Sequence, residues 1–252
     1  MSKRPPFDYS AAHIGAVETA MSTDRLQRYI AMAGGDRDKG FRLYERNTQL
    51  SEALYGPLQG VEIVLRNALN VQLVNHFGAQ WYDLLAHPSS THTAPHLRGS
   101  FPLGRRFQFL QQAKIDEARD KLQKRGKAQN TGAIVAELSF GFWVSILARD
   151  YHWLWIQCLH RPFKSLRLAR ATVSLRVDDI RVLRNRIAHH EPILSRNLAK
   201  EYADIMETIE WLCGTTAAWV ETTSCFLGRF AAPLSASPVP APISSAPTAP
   251  PQ

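Results

Sequence analysis

The residues with the clearest chemical potential lie in one run, Arg184-Asn185-Arg186-Ile187-Ala188-His189-His190-Glu191. Arginine is a planar, permanently charged fork that grips phosphate through parallel hydrogen bonds. Histidine titrates near neutral pH and can take or give a proton. Together they suit attack of an RNA 2′-hydroxyl on its neighbouring phosphate. A plainer reading fits the same residues. Cations and histidines at a helix C-terminus interact favourably with its dipole, by about 0.3–1 kcal/mol each, and Arg184 could pair structurally with a buried acid. The position of Arg184 is nevertheless unusual. Projected at about 100° per residue, Val177, Ile180, Leu183 and Ile187 fall on one arc, with Arg184 inside it. A guanidinium on an apolar stripe must pair, snorkel or face a cavity, because burying the charge alone costs too much. His189, His190 and Glu191 follow at the end of that helix, where geometry is freer.

Other residues offer weaker chemistry. Glu62 and Arg66 stand four apart and flank the stripe of a long helix. They form either a local ion pair, worth a few tenths of a kcal/mol, or a site in which Glu62 faces Arg184 or His189 with Asn67 nearby. Asn47 lies on an apolar stripe, and a buried amide needs partners, so it reads as a bridge between helices. From Arg161 to Arg186 the chain has eight Lys or Arg and two acids, Asp178 and Asp179. That run is either an RNA-facing surface or a solvated helix face. Trp143, Tyr151, Trp153 and Trp155 sit among apolar neighbours and read as core. His87, His92 and His96 have no acid or cysteine beside them, so no metal site is expected. No glycine-rich phosphate loop, Ser-His-Asp set or paired-carboxylate motif emerges, and no cofactor is expected.

Helices must position these groups. Residues 1–21 read as poorly ordered. Thr23-Asp24 supplies an N-cap and a first-turn acid, and Gly34-Gly35 stops that first helix. Leu43, Asn47, Leu50, Leu54, Leu58, Val61, Leu65, Leu69 and Leu73 then recur at steps of three and four, the mark of one long amphipathic helix. Pro57 falls inside it and predicts a kink or two abutting helices. Residues 87–104 carry prolines, serines and glycines and read as a loop. Phe107, Leu110, Ala118 and Leu122 mark a helix stopped by Gly126. Another runs from about Ala133 to Arg149, and Pro162 breaks the chain again. Val173 to Ile187 form the next stripe, ended by Pro192, and Leu198, Tyr202, Ile205, Ile209 and Leu212 form the last. No strand pattern and no repeat are visible. The fold expected is all-α, a bundle of roughly five to seven helices. The helical domain covers 22–232. Residues 233–252, almost wholly Pro, Ala and Ser, form a tail expected to be disordered.

The bulk composition agrees with that picture. The chain has 252 residues and is 45% hydrophobic, enough for a sizeable core. Lys and Arg outnumber Asp and Glu by 30 to 22, a net charge of +8 with pI near 9.6. That balance favours acidic partners, RNA above all. Cys158, Cys213 and Cys225 form no Cys-x-x-Cys pair, which fits a reducing, cytoplasmic setting. No signal-peptide core follows the N-terminus. The most apolar stretch, Leu138–Leu159, is interrupted by Arg149, Asp150 and His152, so no membrane span is expected.

Arg184 to His189, an Arg-x-x-x-x-His with Asn185 directly after the arginine, resembles the signature of HEPN domains (higher eukaryotes and prokaryotes nucleotide-binding). More narrowly, Leu43–Asn47 through Leu50-Ser51, Val61–Leu69 and Arg184–Pro192 resemble the bacterial Abi-like (abortive infection) family, and Leu138–Trp143 resembles a fourth family stretch. The likeness covers roughly residues 25–225. Arg46 departs from it, because the family usually places a tryptophan just before the first asparagine. The resemblance implies a HEPN-like helical bundle, many of whose members are metal-independent ribonucleases acting as homodimers with the motif's arginine and histidine meeting their two-fold copies in a shared cleft. It implies that Arg184 binds the phosphate, His189 is the acid/base, and Asn185 holds the phosphate or orients the histidine; His190, Glu191, Glu62, Arg66 and Asn67 are supporting candidates from their positions on the helices. An abortive-infection or toxin-type endoribonuclease for phage defence, restrained by an antitoxin or regulatory partner, is the first expectation. A non-catalytic HEPN module that binds nucleotide, RNA or a partner protein is the second, and a structural helical adaptor the third.

Overall fold

The computed structural model describes residues 7–84 and 105–233. All of the expected loop at 87–104 and all but the first residue of the expected tail at 233–252 lie outside the described residues. The described residues are all-helical, without a strand, and no helix among them is long and apolar enough to cross a membrane. The chain divides into two compact units, one of Met1–Leu50 with Ala231–Gln252, the other of Ser51–Phe230. The single helical domain expected over 22–232 is thus shared between them, and the division falls inside one long helix.

In the first unit, α1 (Ala11–Met21) and α2 (Thr23–Met32) precede the opening turns of α3 (Arg37–Phe77). Ile14, Leu26, Ile30 and Phe41 form its core, with Tyr9, Val17 and Tyr44 packed against them. The sequence reading expected little order up to residue 21, yet Ala11–Met21 is helical. Tertiary contacts supply what local pattern lacks. Ile14 is the one fully buried side chain of α1, Glu18 pairs with Arg37, and the Tyr9 hydroxyl donates to Glu45 at 2.8 Å. Thr23 is the first residue of α2 and not its cap. Ser22 occupies the cap position, with φ 72° and no side-chain hydrogen bond.

The second unit continues α3 and adds α4 (Trp81–Leu84), α5 (Arg105–Lys124), α6 (Thr131–Glu137), α7 (Phe140–Ser145), α8 (His152–Leu154), α9 (Arg170–Ala188), α10 (Leu198–Leu212), α11 (Gly214–Thr223) and most of α12 (Phe226–Ala231). Leu54, Leu58, Val61, Leu65, Leu69 and Leu73 are all buried, as the stripe requires. Helix α3 passes through Pro57 unbroken. The flanking leucines hold both sides of the proline in the core, which offsets its missing donor. Gly60 lets α3 approach α10 and α11 closely, because a Cβ there would lie 3.0 Å from Val220 Cγ2 and 3.3 Å from Ile209 Cδ1.

The stretch after Gly126 differs most from the sequence reading. One helix was expected from about Ala133 to Arg149, and two short ones occur. The Asn130 side chain accepts from Ala133 N at 2.9 Å and starts α6. The Ser139 hydroxyl accepts from Phe142 N at 3.4 Å and starts α7. Side chains that compete for backbone donors start helices where a hydrophobic count alone would continue them. A 3₁₀ turn at Arg149–Tyr151, a π turn at Trp155–Leu159 and a 3₁₀ turn at Arg161–Leu166 follow. Trp143, Tyr151 and Trp155 are buried, in keeping with a core role, while Trp153 is half-buried. Among the described residues, seven helices reach ten residues or more. The remainder are short turns of helix that periodicity does not reveal.

Candidate functional site

Helix α9 forms because Val173, Val177, Ile180 and Leu183 recur at helical spacing and bury against α7 and α10. Its last turn positions every residue of the motif. His189 N donates to Asn185 O at 2.9 Å, His190 N to Ile187 O at 3.0 Å and Glu191 N to Arg186 O at 2.8 Å. The last two bonds close a helix C-terminus in which one residue turns left-handed, normally a glycine. Here that residue is His190, with φ 56°. A side chain in this region costs roughly 1–2 kcal/mol, and such strain gathers at functional sites. Pro192 then prevents the helix from resuming.

Arg184 and Asn185 are half-buried, while His189, His190 and Glu191 are exposed. Arg184 Nε lies 3.4 Å from Glu62 Oε2 on α3, and Arg184 Nη1 donates to Asn185 Oδ1 at 3.4 Å. The structure therefore joins Glu62 to Arg184, the non-local of the two alternatives, and the local Glu62–Arg66 pair is not formed. The Arg184 side chain remains 40% exposed and that of Glu62 22%. An ion pair this accessible contributes at most about 1 kcal/mol, so it leaves Arg184 open to competition from another anion. Arg186 turns the other way. Its Nη1 donates to Pro192 O at 3.1 Å and its Nε lies 3.9 Å from Glu191 Oε2. Arg184 thus faces α3 and Arg186 braces the turn.

Arg66 is left with its Nε buried and without a hydrogen-bond partner, and it makes no ion pair among the described residues. Asn67 is exposed on α3, and no hydrogen bond joins it to Arg184 or His189. The site that assembles is therefore Glu62, Arg184 and Asn185, with His189 five residues after Arg184 at the helix end. Asn47, on the same helix as Glu62 but in the first unit, is buried.

The basic run up to Arg186 is largely occupied internally. Arg170 Nη1 donates to Leu147 O at 2.8 Å, and Arg176 reaches Glu207 at 2.5 Å and Asp204 at 3.5 Å while lying over the Trp211 ring. Arg181 pairs with Asp178 at 2.8 Å. Arg170 and Arg176 brace α9 against its neighbours and Arg181 pairs within α9, so the run is not a uniform free surface. The three histidines at 87, 92 and 96 lie outside the described residues. Among the described residues, no group of three or more His, Cys, Asp or Glu is placed to hold a metal ion. Burial pushes the Cys158 thiol up to about 11, against its reactivity. The exposed Cys213 thiol is lowered, first by the Thr216 hydroxyl that donates to it at 3.1 Å.

Sequence reasoning included His190 among the supporting residues but missed its left-handed conformation. The available signal was negative: a helix that must stop before Pro192, with no glycine to stop it. Compared with known protein families, characterised proteins and solved structures, the chain has no significant match.

Proposed function

We propose that this chain is a metal-independent endoribonuclease of HEPN-like fold, an Abi-like protein of the abortive-infection or toxin type, acting on RNA in the cytoplasm. The observation that carries the reading is Arg184. It is a half-exposed guanidinium on a buried helix face, held at 3.4 Å by Glu62 and touched by Asn185, on the same helix end as the exposed His189. Arg184 grips the scissile phosphate and offsets the charge that builds on it in the transition state. His189 takes the proton from the 2′-hydroxyl as that oxygen bonds to phosphorus. The bond from phosphorus to the 5′-oxygen breaks, and that oxygen leaves with a proton. The products are a 2′,3′-cyclic phosphate and a free 5′-hydroxyl. A homodimer that brings two copies of Arg184 together supplies a second histidine for the leaving oxygen, and two-fold pairing is the commonest closed assembly.

Single-stranded RNA and the matching DNA, incubated with the purified full chain in EDTA, test this. RNA should be cut to cyclic phosphate ends and DNA spared, because DNA lacks the internal nucleophile. His189→Ala should lose about 10²–10⁴ in rate with melting near wild type, and light scattering should report a dimer. Activity lost on chelation and restored by a divalent ion would reject the mechanism. A non-catalytic nucleotide-, RNA- or protein-binding module is favoured by one observation: no hydrogen bond among the described residues orients the His189 ring. RNA binding without cleavage would establish that reading.

A further inference from the structure

Glu62 precedes Arg66 by one turn of α3, in the acid-before-base order that favours a local pair. It nevertheless crosses to Arg184 Nε at 3.4 Å, and Arg66 keeps a buried Nε with no hydrogen-bond partner among the described residues. Two guanidinium groups therefore stand within reach of one carboxylate, and the carboxylate sits on Arg184, whose side chain is 40% exposed. We infer that Glu62 is an exchangeable counter-ion: it covers Arg184 in the empty site and passes to Arg66 when a phosphodiester binds Arg184. This rests on the reading of Arg184 as a phosphate ligand.

The exchange follows from charge and spacing. A phosphate on Arg184 would lie beside the Glu62 carboxylate, and like charges at that range repel. Leaving Glu62 in place would weaken binding, and turning it out to water would still leave the buried Arg66 Nε without an acceptor. Rotation about the Glu62 side chain avoids both, because residues four apart on a helix have Cβ atoms about 5–6 Å apart. The carboxylate then satisfies the orphaned Arg66 donor. No backbone movement is needed, and no proton or covalent bond changes hands. Arg66 acts through Glu62 and does not touch the phosphate, so it is a positioning residue, and Glu62 sets how readily the site fills.

The test is binding of a fluorescent single-stranded 2′-O-methyl RNA, which has no free 2′-hydroxyl and is not cut, to the full chain. Melting temperatures accompany each variant. Glu62→Gln should bind about two- to five-fold tighter than wild type, the worth of an exposed ion pair. Arg66→Gln should bind weaker, because Glu62 loses its second site. In Glu62→Gln the further change Arg66→Gln should have no effect. An Arg66→Gln loss of equal size with and without Glu62 would mean that Arg66 contacts the RNA directly, and would overturn the exchange. Tighter binding absent in Glu62→Gln would overturn it too. Should Glu62→Gln melt early, Glu62→Ala repeats the comparison with a residue of high helix propensity. Arg184→Gln separates the two levels. If it binds as wild type does, the phosphate-ligand reading falls. If it loses binding while Arg66 acts independently of Glu62, the exchange alone falls.

Discussion

Helix α5 ends at Gly126, φ 62°, with Gly126 N bonded to Gln123 O at 3.0 Å and Lys127 N to Leu122 O at 2.9 Å. Helix α9 ends at His190, φ 56°, with His190 N bonded to Ile187 O at 3.0 Å and Glu191 N to Arg186 O at 2.8 Å. The backbone geometry is the same and the side chains are not. Where α5 uses a glycine, α9 uses a histidine. Where the carbonyl that closes the wider turn, five residues back, belongs in α5 to the buried Leu122, in α9 it belongs to the half-exposed Arg186, which reaches Glu191. The end of α5 is built for stability. The end of α9 reaches the same conformation with residues that carry charge and titrate, and it does so at a conformational cost. A local preference set aside in this way is expected most often where side-chain chemistry matters.

The largest expected difference lies in the anchors. Leu122→Ala should cost about 2–5 kcal/mol, the usual result of emptying a buried leucine site. Arg186→Ala should cost no more than about 1 kcal/mol, because its contacts are accessible to water. Urea unfolding of the two variants measures both, and equal losses would erase the contrast. Next comes the glycine. Gly126→Ala should destabilise by roughly 1 kcal/mol through backbone strain alone, since a Cβ there meets no atom within 4 Å. A neutral outcome would show that this turn tolerates side chains, and His190 would lose its significance. The smallest effect is the converse. His190→Gly should stabilise by about 0.5–1 kcal/mol in the same assay. If RNA cleavage falls while stability rises, the histidine is kept for its ring. If cleavage is unchanged, the strain serves the turn and not the chemistry.

Much of this fold can be read from the sequence, and the limits have physical causes. The stripe from Leu50 to Leu73 and that from Val173 to Leu183 are long and regular, and every member is buried. Short elements carry no such statistics. Helix α1 buries Ile14 alone, so its pattern is indistinguishable from a loop. The break at Ser139 depends on one hydroxyl winning a backbone donor, inside a run apolar enough to be read as continuous helix. The site divides in the same way. The position of Arg184 on an apolar arc announces that it needs a partner. Whether Glu62 serves Arg184 or Arg66 turns on tenths of a kcal/mol and on how α3 and α9 pack, which no local spacing encodes. His190 could be placed at the helix end from Pro192, but its handedness is set by the hydrogen bonds of the finished turn.

Pro57 carries no amide hydrogen, so the Ala53 carbonyl has no donor four residues on, midway along the 41 residues of α3. A helix of this length without a proline opens to hydrogen exchange by fraying from its ends or by unfolding with the core around it. Helix α3 has a third route, an interior seam where the ladder already lacks a rung. Amides on the two sides of that seam can exchange through separate opening events. Glu62 lies on the C-terminal side, so the segment that presents it to Arg184 can loosen without melting the turns that precede Pro57.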